Sequence, residues 1–316
     1  MQKYTLGIES SCDETAIGII SDGKVIYKDI YSSAKIQALY GGVVPEIASR
    51  MHEQNFNIML KKLIENFDVK KITNIAYTAY PGLIGGLHVA SIFAKTLAWL
   101  WNVKLTAIDH RYGHIFSANI NENEIKYPFL ALVVSGKTSS IYKVDSAKEI
   151  TELLHTTDDA AGETLDKIGR KLGMKYPAGK TIDDLYSDEL ANISLIAHNA
   201  KNENFSFSGF KTHVINLINK NIKDKKYSEE EIASSSMKWI VDELIRKLEY
   251  CAQTYNIHNV FIGGGVSASK TLKKALEKQK WIHDLHLTDL AYTGDNGVMI
   301  AYYAEKLEQE NAKNNI

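Results

Sequence analysis

Between Tyr4 and Ile30 the chain reads YTLGIESSCDETAIGIISDGKVIYKDI, and its apolar positions fall into three short runs. A Ser-rich turn parts the first run from the second and Asp22-Gly23 parts the second from the third, so the pattern predicts a strand followed by a tight hairpin. The pattern returns at 128–144 in PFLALVVSGKTSSIYKV, an apolar strand, a turn of small polar residues and a second strand. Two related halves are therefore expected, 1–124 and 125–316, with the terminal helix free to pack back on the first. The boundary is placed in the polar segment NINENEIKYP at 119–128, whose proline discourages helix. In the first half a helix begins near Pro45, with Phe56, Met59, Leu60, Leu63, Ile64 and Phe67 as its core stripe. A strand at 74–79, a glycine turn at 81–86, a helix to about Leu100 and a strand at 105–108 follow. In the second half helices are expected at 160–172, 210–220 and 229–255, then a strand at 259–262, a glycine turn at 263–265 and a helix from about Ser267. A strand at 285–289 leads past Asp295 to the terminal helix, whose tail from 308 to 316 is expected to fray. Strands alternating with helices define an α/β fold.

The length of 316 residues is about twice the ~150 of a typical domain, in keeping with two halves. Hydrophobic residues at 45% and charged residues at 24% exclude a disordered, collagenous or membrane-spanning chain. The 37 basic and 38 acidic residues leave a net charge of −1, so no global field draws in a polyanion. Contact with nucleic acid would need a local patch or a partner. Cys12 and Cys251 are too few for a disulfide framework, which fits a reducing cytoplasm. No apolar run of signal-peptide length follows the N-terminus and nothing approaches a membrane span, so a cytoplasmic location without a membrane partner is expected.

His110 and His114 are four positions apart, so on a helix they would project from one face and could chelate one metal ion. The alternative is a pair of surface histidines near a helix start. Arg111, Tyr112 and Gly113 lie between them, so the glutamate of an HExxH protease is missing. Asp295 is a candidate third ligand or simply a helix N-cap. The segment SGKTSS at 135–140 fails as a phosphate-binding P-loop, because Ala131 stands where that motif needs its first glycine. A tight turn remains, whose backbone N–H groups and Lys137 could still face a phosphate. GGGVSAS at 263–269 opens a helix after a strand and suits either nucleotide binding or close strand-to-helix packing. The pair Asp13-Glu14 could orient a metal, a water or an attacking amine, or merely shape a turn. Asp158 and Asp159 read as helix caps, whereas Asp166 lies too deep in its helix for that account. His52 reads as a satisfied core histidine, Cys12 as a small buried residue and the basic stretch 219–226 as a solvated loop.

Taken together, GIESSCDET (7–15), YGGVVPEIASRMH (40–52), HRYGH (110–114), DDAAGETLDKIG (158–169), FSFSGFKT (205–212), GGGVSAS (263–269) and TGDNGVMIA (293–301) resemble one family over nearly the whole chain. It is the tRNA threonylcarbamoyladenosine transferase family, formerly called O-sialoglycoprotein endopeptidase. The resemblance implies two tandem actin-like ATPase domains, of the sugar kinase and Hsp70 type, around a central cleft. It implies one divalent metal, iron or zinc, on His110, His114 and Asp295. Asp166, Gly179 and Asp183 would hold the substrate, beside Val133, Val134, Ser135, Gly136 and Lys137 and beside Gly264, Gly265 and Ser269. Asp13 and Glu14 would be the acidic pair linked to activity. The implied reaction transfers a threonylcarbamoyl group from threonylcarbamoyl-AMP to the N6 amine of adenosine 37 in tRNAs reading codons that start with A, releasing AMP. The implied partners are a smaller inactive homologue (TsaB-like) and a small ATPase (TsaE-like).

Physically, the donor is a mixed anhydride with an activated carbonyl, so orientation and stabilisation of developing negative charge are the main tasks. The adenine amine is a weak nucleophile, and a carboxylate such as Asp13 could accept its proton. The chain departs from the family where it has Ser135-Gly136-Lys137-Thr138-Ser139 instead of Ser-Gly-Gly-His-Thr, and Ser269 instead of asparagine. A non-catalytic scaffold paralog of the same modification complex is the competing reading, followed by a kinase or ATPase of the same architecture.

Overall fold

The computed structural model describes residues 2–40, 42–121 and 125–313, with residue 313 described by its backbone alone. Residues 122–124, within the expected boundary segment, and 314–316 of the expected fraying tail lie outside the described residues. The chain forms two compact units, Met1–Ile125 with Thr288–Ile316, and Lys126–Leu287. The closing segment from Thr288 thus belongs to the first unit, so a single cut does not separate the two.

In the first unit, β1 (Tyr4–Glu9), β2 (Glu14–Ser21), β3 (Lys24–Ser32), β4 (Ile72–Tyr80) and β5 (Lys104–Asp109) form one sheet in the order β3-β2-β1-β4-β5. The β2–β3 hairpin turns at Asp22 and Gly23, whose φ angles of 50° and 74° suit the mirror-image turns that follow strand twist. β1 runs antiparallel to β2 and parallel to β4. Alternation along β1 sends Leu6 and Ile8 into a core with Phe56, Met59 and Leu63 of α2 (Pro45–Asn66) and Ala90, Ala94 and Leu97 of α3 (Ile84–Trp101). A short α1 (Ala34–Gln37) precedes α2. Gly7 faces the other way, against α10 (Gly297–Lys313), which also packs on α4 (His110–Ser117).

The second unit repeats this plan with β6 (Phe129–Val134), β7 (Ser139–Val144), β8 (Ile150–His155), β9 (Asn259–Gly263) and β10 (Asp284–Leu287) in the order β10-β9-β6-β7-β8. Its first strand again pairs antiparallel with a hairpin neighbour and parallel with a later strand. Its helices are α5 (Ala161–Lys171), α6 (Gly179–Leu185), α7 (Ser208–Asp224), α8 (Glu229–Tyr255) and α9 (Lys270–Glu277). Ser228 and Glu231 close a capping box at the start of α8. The stretch 219–226 is the exposed end of α7 and its following loop.

Several expectations need correction. β8 and α6 have no counterpart in the sequence reading; each is short, six and seven residues, and too brief to show a period. Ile64 is solvent-exposed instead of core, because the buried stripe of α2 follows Phe56, Met59 and Leu63. The last helix continues to Lys313 instead of fraying from 308. The statement that nothing approaches a membrane span also fails: Ile84–Trp101 is long and apolar enough to cross one by length and composition. Its composition has another physical cause here. α3 is the crossover between parallel strands β4 and β5, with small residues Gly86, Ala90, Ala94 and Ala98 on its buried face.

The approach of α10 to the sheet leaves no room for side chains. A methyl group at Gly7 would sit 2.0 Å from the Gly297 carbonyl oxygen, and one at Gly297 would sit 2.6 Å from the Gly18 amide nitrogen and the Gly7 carbonyl oxygen. Gly297→Ala is therefore expected to destabilise the protein by about 2 kcal/mol or more through overpacking against backbone, measured as a lower midpoint in urea.

Candidate active site

Asp109, the last residue of β5, ends the strand and starts the helix. It caps α4 by accepting from the Arg111 amide at 2.9 Å, while the Arg111 guanidinium holds both its oxygens at 3.1 and 2.7 Å. Helix therefore begins at His110 itself and places His114 one turn on, the two rings meeting edge to face at 4.7 Å between centroids. Asp295, in the same unit, lies two positions before α10, and its Oδ1 stands 3.1 Å from His114 Nε2 and 3.4 Å from His110 Nε2. One ligand atom from each of the three lies within 4.8 Å of the others. Donors about 2.1 Å from a tetrahedral ion are about 3.4 Å apart, which the two Asp295 contacts match, and two imidazoles with a carboxylate are a donor set suited to a divalent cation such as zinc or iron.

A residue that the sequence reading missed lies behind His110. Glu9 closes β1 fully buried; its Oε1 accepts from the Ser11 amide at 2.6 Å, and its Oε2 accepts from the Thr78 hydroxyl and stands 3.1 Å from His110 Nδ1. The available signal was a carboxylate ending an otherwise apolar strand. Burial alone would depress the His110 pKa, but Asp295 and Glu9 together raise it to about 9. For Glu9 burial pushes upward, and the neighbouring His110 outweighs it to keep the carboxyl below its ordinary range.

Asp13 and Glu14 stand at the end of the loop that leaves β1. The loop is pinned from several sides: the Ser10 hydroxyl donates to the Gly86 carbonyl at 2.9 Å, the Leu83 amide to the Ser11 carbonyl at 2.7 Å, and the Ser33 amide to the Asp13 carbonyl at 2.9 Å. His52, fully buried on α2, donates from Nε2 to the Cys12 carbonyl at 3.1 Å, so its Nδ1 accepts from the Thr15 hydroxyl at 2.8 Å. Burial lowers its pKa, as a neutral ring making one donor and one acceptor bond requires. Burial, then the charges of Asp295 and Asp13, push the Glu14 carboxyl up to about 9, so it keeps its proton at neutral pH.

The remaining sequence-predicted residues belong to the second unit. Val133 and Val134 are fully buried in the core, so only their backbone could face a ligand. Ser135 closes the β6–β7 turn: its hydroxyl accepts from the Lys137 and Thr138 amides at 3.2 and 3.0 Å. Gly264, at φ 87°, presses on β6, where a methyl group would meet the Val134 carbonyl oxygen at 2.5 Å; at Gly136 and Gly265 it would meet nothing within 4 Å. Asp166 accepts from the Ala178 and Gly179 amides at 2.7 and 3.2 Å, closing the start of α6, and burial raises its pKa. Asp183 accepts from the Ser269 hydroxyl at 2.7 Å and from the Lys270 and Thr271 amides at 2.8 and 3.1 Å, so it holds the start of α9. Ser269 itself caps α9 through Leu272, and a 3-10 turn at Gly265–Ala268 stands where an α-helix from Ser267 was expected. Asp158 does not cap its own helix; its Oδ1 accepts from Phe207 and Ser208 at the start of α7, and Asp159 pairs with Lys167 and Lys211.

Two solved structures share the fold. Full-length HypF in its phosphate- and nucleotide-bound form superposes with a TM-score of 0.67 at 11% identity, covering 96% of this chain and 55% of that one. Component A of the (R)-2-hydroxyglutaryl-CoA dehydratase of Acidaminococcus fermentans gives 0.53 at 14% identity, covering 96% and 99%. The α/β fold with two five-stranded sheets is thus of the actin-like ATPase type. Residues 24–302 match the family model for TsaD, tRNA N6-adenosine threonylcarbamoyltransferase. Relatives of that description are 46% identical in Ureaplasma parvum serovar 3 over 98% of this chain and 96% of its own length, and 41% identical in Mycoplasma pneumoniae over 98% of each. The chain belongs to the tRNA N6-adenosine threonylcarbamoyltransferase family and is a transferase.

The protonated Glu14 has a consequence for stability. From its ordinary value of 4.5 up to about 9 the unfolded carboxyl is ionised while the folded one keeps its proton. Its contribution is therefore fully present below 4.5 and is lost as pH rises through that window. Glu14→Gln, neutral at every pH, is expected to match the metal-free wild type near pH 4 and to exceed its melting temperature by a margin that widens towards pH 8, read by thermal scans across that range.

Proposed function

We propose that the chain transfers the threonylcarbamoyl group of threonylcarbamoyl-AMP to the N6 amine of adenosine 37 in tRNAs reading codons that start with A. The observation that carries this reading is the convergence of His110, His114 and Asp295 beside a carboxyl that keeps its proton, in a chain of this family. These three residues would hold one divalent ion, iron or zinc, which when bound supplies Lewis acidity toward the donor's oxygens. The chemistry of the chain's own residues is proton handling and charge control. The amine nitrogen attacks the carbamoyl carbon, the bond from that carbon to the phosphate oxygen breaks, and AMP leaves with that oxygen. Asp13 accepts the proton that the amine sheds. Glu14, protonated, adds no negative charge beside an anionic donor and can give a hydrogen bond to it. In the second unit the Ser135–Lys137 turn, Asp166, Gly179, Asp183, Gly264, Gly265 and Ser269 would hold the adenylate, Val133 and Val134 contributing backbone.

Reconstitution with tRNA, threonine, bicarbonate, ATP, the adenylate-forming enzyme and the two expected partners, reading modified adenosine, tests this function. Asp13→Asn should slow single-turnover transfer by about 10²-fold or more at saturating tRNA, and His114→Ala should leave the purified chain without stoichiometric metal. Unchanged transfer by Asp13→Asn would remove its role as base. A stable metal-free wild type with no transfer would favour the scaffold reading.

The smaller homologous partner is supported by α3, where Ile84, Ile92 and Trp99 are 73%, 68% and 83% exposed. At about 100° per residue the three fall on one stripe, of the kind that marks a protein interface. Trp99→Glu is expected to weaken that complex by at least tenfold without altering the fold, measured by calorimetry and circular dichroism.

A further inference from the structure

Glu9 is a buried carboxylate that the transfer chemistry above does not use. A carboxylate accepts hydrogen bonds and gives none. Its Oε1 is taken by the Ser11 amide, which can only donate, and its Oε2 by the Thr78 hydroxyl and the His110 ring. Against Oε2 at 3.1 Å, His110 Nδ1 must itself carry a proton. A neutral His110 then has its lone pair on Nε2, the nitrogen that stands 3.4 Å from Asp295. His114 has no equivalent partner, since its buried Nδ1 makes no hydrogen bond among the described residues. Among the described residues, only the His110 ring of the pair is held from its Nδ1 side.

We infer that Glu9 is a positioning residue: it fixes the tautomer of His110 and so keeps Nε2 free to act as a ligand atom. The inference rests on the proposed metal reading. The substitution that isolates it is Glu9→Gln, which keeps the shape and turns one acceptor into a donor. The Ser11 amide still requires an oxygen, so the glutamine oxygen stays there and its NH₂ faces Thr78 and His110. Thr78 can turn its hydroxyl to accept. His110 meets that NH₂ as an acceptor by moving its proton from Nδ1 to Nε2, where it blocks the ligand atom, and the Ser11 hydroxyl, 3.2 Å from Nδ1, turns to donate to the freed nitrogen. A hydrogen-bond partner of a ligating histidine typically changes metal affinity 10–100-fold when removed.

The experiment uses the full chain stripped with chelator. Zinc and ferrous affinities are measured by competition with a chromophoric chelator, and the imidazole nitrogens of His110 are followed by long-range ¹H–¹⁵N NMR at a pH where the ring is neutral. The wild type should show the proton on Nδ1, and Glu9→Gln should show it on Nε2 and bind zinc 10–100-fold more weakly, with a metal-free melting temperature within a few degrees of wild type. Thr78→Val, which removes the other donor to Oε2 and leaves the His110 contact, should change zinc affinity by less than threefold. A wild-type proton on Nε2, which needs no variant to observe, or a Glu9→Gln chain with wild-type affinity, would overturn the inference. If the wild type takes up neither metal while the tautomer still inverts in Glu9→Gln, the metal reading falls and the assignment of Glu9 stands.

Discussion

The contact on which the first unit's site depends is made by backbone alone. Gly297 at the start of α10 lies against Gly7 of β1 and Gly18 of β2, closer than any side chain allows. Asp295, two positions before that contact, is thereby carried to the end of β1, where Glu9 and His110 already meet. The next residue reinforces the placement: Asn296 is buried, with its amide on the Tyr292 and Gly294 carbonyls and its oxygen on the Met299 amide. A carboxylate 185 positions away from His110 is thus held to within hydrogen-bond range by packing that has nothing to do with charge.

Charge then decides what the collected groups do. Glu9, Asp13, Glu14 and Asp295 are all acidic, and the imidazoles are the neighbouring bases. The folded state resolves this crowding unevenly: Glu9 stays ionised against a protonated His110, while Glu14 keeps its proton. Two carboxyls in one unit therefore acquire opposite characters from their surroundings, which is how active sites separate acid from base. In the second unit the carboxylates do different work. Asp158, Asp166 and Asp183 each accept from backbone amides at the start of a later helix, α7, α6 and α9 respectively. A ligand hydroxyl at Asp166 or Asp183 would meet an oxygen already ordered by those amides.

The local pattern was legible wherever a residue's role is set by its near neighbours. Asp22-Gly23 announces the hairpin and Pro45 the helix, because each acts within four residues. The repeated hairpin plan was visible for the same reason. Asp158 was misread because a short-range cap and a long-range one look identical in sequence; its amides come from 207 and 208. Glu9 was passed over because a lone acidic residue at a strand end has no spacing to another ligand, and its partner is 101 positions on. The grouping of Asp295 with the histidines came from family resemblance, not from periodicity. α3 was misjudged differently: small and apolar residues needed by a crossover helix against a sheet give the same composition as a membrane span.

The proton balance also limits how the site can respond to a bound cation. Asp295 contributes to the raised pKa of both His110 and Glu14, because its negative charge favours a proton on each. Engaging Asp295 with a positive ion removes that contribution from both at once. Burial still favours the neutral carboxyl of Glu14, whereas the imidazole loses an attraction that had offset its own burial. With such an ion in place the two groups would part company: His110 would hold its proton less firmly, while burial would still favour one on Glu14. A donor arriving beside them would then meet a neutral acid and an uncharged imidazole where the metal-free chain has a neutral acid and a cation.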